Sequence, residues 1–140
     1  VRKETLIDTG PLVAFLNRRD KYHTWAKDHL QEAEPPLLTC EAVLSESCFL
    51  LSGYKQGPEA VLDLVDRGLL AISFDLEREA ASLKRLLSRY AGVPMALADA
   101  CLVRMSELHP DAVLLTLDSD FRIYRRNRRA MIPTLMPPVR

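Results

Sequence analysis

Five short apolar runs, at positions 4–8, 37–40, 69–74, 112–117 and 132–136, alternate with longer segments of helical spacing. In these runs consecutive residues are apolar, so a strand built from them has no polar face to turn to water. Such strands must be covered on both sides, which is the situation of a parallel sheet between helices. Strands that alternate with helices lead to the same class, an α/β fold with helices on both faces of the sheet. The spacing predicts helices over 11–17, 22–33, 41–52, 58–67, 76–90 and 95–108, and a short one over 119–126. Pro35-Pro36, Gly68, Gly92, Pro94 and Pro110 punctuate them. No repeat, low-complexity tract or linker interrupts the chain, and 140 residues fit one domain, 1–140.

Four carboxylates occupy positions where this pattern asks for apolar or small residues. Asp8 ends the first run and Asp118 the fourth. Glu46 has Ala42, Val43, Phe49 and Leu50 three and four residues away, and Asp99 has Met95, Ala96, Leu102 and Val103. On a helix those offsets share a face, so Glu46 and Asp99 are expected to point inward with their apolar neighbours. Carboxylates are almost never fully buried unless paired or bound to a cation. In an open parallel sheet, sites form beyond the carboxyl ends of strands at a topological switch point. All four acids are expected there, in one acidic pocket. At about 4 Å and an effective dielectric near 20, each such pair costs about 4 kcal/mol. A divalent cation reverses that sign, and oxygen-only donors favour Mg²⁺ or Mn²⁺ over zinc. The chemistry this implies is metal-dependent attack at a phosphodiester.

Net charge is zero but unevenly placed. Residues 121–140 hold six arginines and no acid, while residues 1–120 hold 13 basic residues and all 19 acids, a net of −6. The run Arg122, Arg125, Arg126, Arg128 and Arg129, with Tyr124 among them, is expected to grip phosphates and stack on an unpaired base. Three cysteines (Cys40, Cys48 and Cys101) without CxxC spacing read as reduced, buried thiols of a cytoplasmic protein. His23, His29 and His109 lack metal-ligand spacing. Tyr22 and Trp25 are expected to pack a helix against a neighbour or a second subunit. Gly53 and Gly57 are not followed by the GK[ST] of a phosphate loop. No apolar run approaches the roughly 20 residues needed to span a bilayer.

The motifs Leu6-Ile7-Asp8-Thr9-Gly10-Pro11, Thr39 through Glu46, Met95 through Val103 around Asp99, and Thr116-Leu117-Asp118-Ser119-Asp120-Phe121 together resemble the PIN domain family. This is a metal-dependent ribonuclease fold that includes VapC-type toxins of toxin–antitoxin pairs. The resemblance implies a three-layer α/β/α sandwich and an acidic quartet of Asp8, Glu46, Asp99 and Asp118 holding Mg²⁺ or Mn²⁺. Asp120 is then a further acidic partner, and Thr9 and Thr116 are hydroxyls beside the quartet. It also implies hydrolysis of single-stranded RNA, a homodimer, and an antitoxin partner able to plug the pocket with a basic side chain.

Plainer readings stand beside this one. Asp8 can be a helix cap, as can Asp118 or Asp120, and Glu46 or Asp99 can pair with a buried arginine. A rival function is a non-catalytic RNA-binding or assembly module on the same fold. A phosphotransfer or phospho-acceptor domain fits less well, because Asp8 is followed by Thr9-Gly10 and no lysine occurs after Lys84.

Overall fold

The computed structural model describes residues 3–138. The chain begins with strand β1 (Thr5–Ile7), then helices α1 (Thr9–Leu16) and α2 (His23–Glu32). Strand β2 (Leu37–Thr39) leads to α3 (Glu41–Leu50) and α4 (Gly57–Asp66). Strand β3 (Leu70–Ile72) is followed by α5 (Leu76–Arg89) and α6 (Leu97–Leu108). Strand β4 (Val113–Leu115) runs into a single 3-10 turn, Ser119–Arg122. A small hairpin of β5 (Arg125–Arg126) and β6 (Ala130–Met131) precedes the last strand, β7 (Thr134–Leu135).

The main sheet has five strands in the order β3-β2-β1-β4-β7, and every neighbouring pair is parallel. With six helices packed around it, this is the three-layer α/β/α sandwich. Strands β1, β2 and β3 step outward in one direction, and the chain then returns to lay β4 on the other side of β1. The direction of winding therefore reverses between β1 and β4, which places the switch point at their carboxyl ends. The core forms where the strands carry their longest apolar runs: Leu6, Ile7, Leu114 and Leu115 are fully buried. Helix α6 buries residues on nearly all sides, including Ala98, Ala100, Cys101, Leu102, Val103 and Met105, and packs on α3 and α5. All three cysteines are free thiols, with Cys40 and Cys101 buried.

One sequence expectation fails. Residues 119–126 are not a helix: the 3-10 turn stops at Arg122, and Arg125-Arg126 pair antiparallel with Ala130-Met131. Asn127 and Arg128 at the tip both take positive φ, 51° and 69°, a turn geometry that helical spacing cannot reveal. The guanidinium of Arg125 also folds back to donate to the carbonyls of Arg122, Ile123 and Tyr124, so the chain bends there.

Candidate active site

The register of β1 against β4 builds the centre of the site. Ile7 lies opposite Leu115, so one residue further on Asp8 stands beside Thr116. The Asp8 amide donates to Leu115 O at 3.0 Å. The Thr116 hydroxyl donates to Asp8 Oδ2 at 2.7 Å and accepts from the Asp118 amide at 3.0 Å. A single buried threonine thus ties the acid after β1 to the acid after β4. On the other flank, the buried Thr39 hydroxyl donates to Ile7 O at 3.0 Å and holds the end of β2 against the end of β1. Gly10 completes the junction. A Cβ on it would sit 3.1 Å from Leu117 Cβ, so glycine lets the start of α1 lie close against the loop that carries Asp118.

Asp8 and Asp118 both act as caps. Asp8 is the N-cap of α1 and accepts from the Thr9 amide at 2.7 Å. Asp118 caps the 3-10 turn and accepts from the Asp120 amide at 2.9 Å. Asp99 lies in the first turn of α6, and its Oδ2 accepts from the Ala96 amide at 2.9 Å. These bonds orient the carboxylates without neutralising them. Among the described residues, none of Asp8, Glu46, Asp99, Asp118 and Asp120 is paired with a lysine, arginine or histidine.

The acids act on one another instead. Asp8 is buried, and that burial, with smaller contributions from Asp99 and Asp118, pushes its carboxyl from 3.8 up to about 6, against the pull of its Thr116 and Thr9 bonds. Burial raises Asp99 as well; the Ala96 bond opposes it, and Asp118, Glu46 and Asp120 push it further up. The four predicted acids and Asp120 therefore share one electrostatic neighbourhood. Among the described residues, however, no three Asp, Glu, His or Cys side chains already form a metal cage. The donor set fits a hard dication in its chemistry: oxygen only, buried in part, and with no cation to compensate it. Thr9 Oγ1 adds to that fit, since it is buried beside Asp8 with no hydrogen-bond partner.

Two positions correct the sequence reading. Glu46 does not point inward; it is exposed, and Phe49 on the same helix is 75 % exposed. Helix α3 buries Val43, Leu44 and Ser47 instead, so the apolar neighbours of Glu46 mark a surface, and Glu46 is linked to the other acids through its charge on Asp99. Tyr124 is fully buried, edge-on to Phe121 and Tyr90 at 5.3 and 5.1 Å, and its hydroxyl donates to Pro94 O at 2.6 Å. It cannot stack on a base. Its burial, and next the charge of Asp99, keep the phenol protonated well above its usual range.

The arginine run divides by environment. Arg126 donates to Pro110 O at 2.8 Å and Ser106 O at 3.2 Å, and Arg125 is spent on the carbonyls of its own bend. Both guanidinia therefore serve the fold. Arg122, Arg128 and Arg129 are exposed.

The comparisons with known proteins agree with this architecture. A family model described as PIN domain matches residues 5–127. Mycobacterium tuberculosis VapC20, described as a sarcin–ricin loop cleaving toxin, superposes with a TM-score of 0.73 at 20 % identity, over 90 % of this chain and 100 % of that one. Rickettsia felis VapBC2, solved bound to a DNA fragment from its promoter, superposes with a TM-score of 0.64 at 15 % identity, over 96 % and 98 %. A search of curated proteins found no match. With a match that spans from β1 to the tip of the arginine hairpin, the chain belongs to the PIN domain family.

Proposed function

We propose that this protein is a Mg²⁺- or Mn²⁺-dependent endoribonuclease that hydrolyses phosphodiester bonds in single-stranded RNA, and the toxin of a toxin–antitoxin pair. The reading is supported chiefly by the electrostatic influence of Asp8, Asp99 and Asp118 on one another near the switch point, with no compensating cation among the described residues. Asp8, Glu46, Asp99 and Asp118 would hold the ion, with Asp120 in support. When bound, such an ion stabilises negative charge on a phosphodiester and eases deprotonation of water.

The chain's own residues do the positioning. Thr116 fixes Asp8 and the Asp118 backbone together. The Asp120 amide orients the Asp118 carboxylate, and the protonated Tyr124 hydroxyl lies beside Asp99. Thr9 offers a hydroxyl with no partner of its own. Exposed Arg122, Arg128 and Arg129 would meet phosphates. The superposition on VapC20, itself described as a sarcin–ricin loop cleaving toxin, supports the choice of RNA. Control by an antitoxin and pairing of two copies belong to the same reading, in a cytoplasmic protein. Exposed Phe49, Leu50 and Leu62 on α3 and α4 supply apolar surface for such contacts. No helix among the described residues is long and apolar enough to cross a membrane.

The rival reading is a non-catalytic RNA-binding or assembly module. Purified protein incubated with single-stranded RNA and Mn²⁺ separates the two. Cleavage by wild type that disappears in a folded Asp99→Asn variant supports the enzyme; cleavage that persists in that variant refutes the site.

A further inference from the structure

A cleft of about 660 Å³ opens beside the acidic edge, a size in the range of ligand sites. One part of its wall is the catalytic loop itself: Leu117 and Ser119, the two neighbours of Asp118, and Arg122 at the end of the 3-10 turn. Another part is formed by Lys21, Tyr22 and Trp25, from the turn before α2 and its first residues. From their sequence pattern, Tyr22 and Trp25 are expected only to pack. They do pack in part, with Trp25 tilted on His29 at 4.7 Å between ring centres, but both also line the cleft.

Besides apolar Leu117 and the Met136-Pro137-Pro138 segment, the wall carries the groups a nucleotide needs. Two aromatic rings offer faces for a base, and two cations offer charge for a phosphate. Neither Lys21 nor Arg122 has a carboxylate partner among the described residues. The Lys21 ammonium rests instead 4.9 Å from the centre of the Tyr22 ring, a weak contact it can leave for an anion. The segment is also held in place. The Tyr22 amide donates to Asp20 Oδ1 at 2.8 Å, and His23 Nδ1 is 2.8 Å from Ala14 O, which ties the start of α2 to α1. Helix α1 begins at Asp8 and Thr9, so cleft and acids share one rigid support. A polyanion approaching five acids needs positive charge next to them, and the cleft supplies it.

We propose that this cleft seats one unpaired nucleotide next to the scissile phosphate of a single-stranded RNA, with its base against Trp25 and Tyr22 and its phosphate between Lys21 and Arg122. The inference rests on the nuclease reading for the position of the scissile bond. Its binding claim is tested separately.

Trp25 is the only tryptophan of the chain, so its emission reports on the cleft alone. Metal-free wild-type protein is titrated with octamers of uridylate and of adenylate in EDTA. The expected result is saturable quenching. Tyr22→Ala, Lys21→Ala and Arg122→Ala should each weaken binding about 5-fold or more, and each lost cation should lower the salt slope by about one. Inorganic polyphosphate, which carries charge without bases, should quench far less. Absent quenching by either RNA, equal quenching by polyphosphate, or unchanged affinity in all three folded variants overturns the proposal. Cleavage in Mn²⁺ with a silent Trp25 removes the cleft and leaves the nuclease. Quenching without cleavage leaves the cleft and removes the nuclease.

Discussion

Replacing Asp8 by asparagine should stabilise the metal-free protein at pH 8. Burial moves this carboxyl from 3.8 up to about 6, which corresponds to about 3 kcal/mol of penalty on the ionised form. The folded state holds the proton more tightly than the unfolded chain, so unfolding releases it between those two values. Stability from this group is therefore present below about pH 4, falls as pH rises through that window, and levels off above about pH 6. Asparagine carries no charge and escapes the penalty at high pH. It keeps one acceptor where Asp8 has two, one used by the Thr9 amide and one by the Thr116 hydroxyl, so it forfeits about 1 kcal/mol of hydrogen bonding. The net expectation is a gain of about 2 kcal/mol at pH 8, shrinking to zero or a small loss at pH 4. Urea denaturation of both proteins in EDTA at the two pH values measures the difference. A variant that is destabilised equally at pH 4 and pH 8 would show that Asp8 is not held as a strained, buried charge.

Three further outcomes rest on the same geometry. Mn²⁺ at about 100 times its dissociation constant should raise wild-type stability by about 2.7 kcal/mol, and Asp99→Asn should lose most of that gain; thermal unfolding with and without the ion is the check, and no saturable shift in wild type would favour the non-catalytic module. Arg126→Ala should cost about 2 kcal/mol, because its guanidinium bonds the Pro110 and Ser106 carbonyls, whereas exposed Arg128→Ala should cost under about 0.5 kcal/mol; equal effects in denaturation would undo the division of the arginine run into structural and free members. Tyr124→Phe removes the 2.6 Å bond to Pro94 and leaves that carbonyl unmet, at a cost of about 1–2 kcal/mol by the same measurement, and a neutral result would mean that water replaces the phenol.

Much of the frame is written in local pattern. Doubly covered strands must be apolar on consecutive residues, so the runs around Leu6, Leu38, Leu70 and Leu114 announce a parallel sheet before any coordinates. Asp8 and Asp118 are legible for the same reason: a carboxylate that ends such a run sits at a strand's carboxyl end. The family resemblance then named the partners of these acids, and the PIN model match over residues 5–127 bears out that family. What tertiary packing decided is which way side chains turn. Glu46 reads as inward because Phe49 and Leu50 share its face, yet those residues are left exposed, since periodicity marks an apolar face without saying what covers it. Tyr124 and Arg126 look like an RNA-gripping run in one dimension, but the positive φ of Asn127 and Arg128 turns the chain into a hairpin. Just before it the chain bends at Arg125, with the tyrosine in the core and the Arg126 guanidinium on carbonyls. Tyr22 and Trp25 stand nearly a hundred residues from Leu117 and Arg122, and only the fold makes them walls of one cleft. Local pattern can be read along the chain because it reflects each segment's own need to shed water. Convergence of distant groups cannot, because it depends on strand order and on the direction in which each turn sends the next segment.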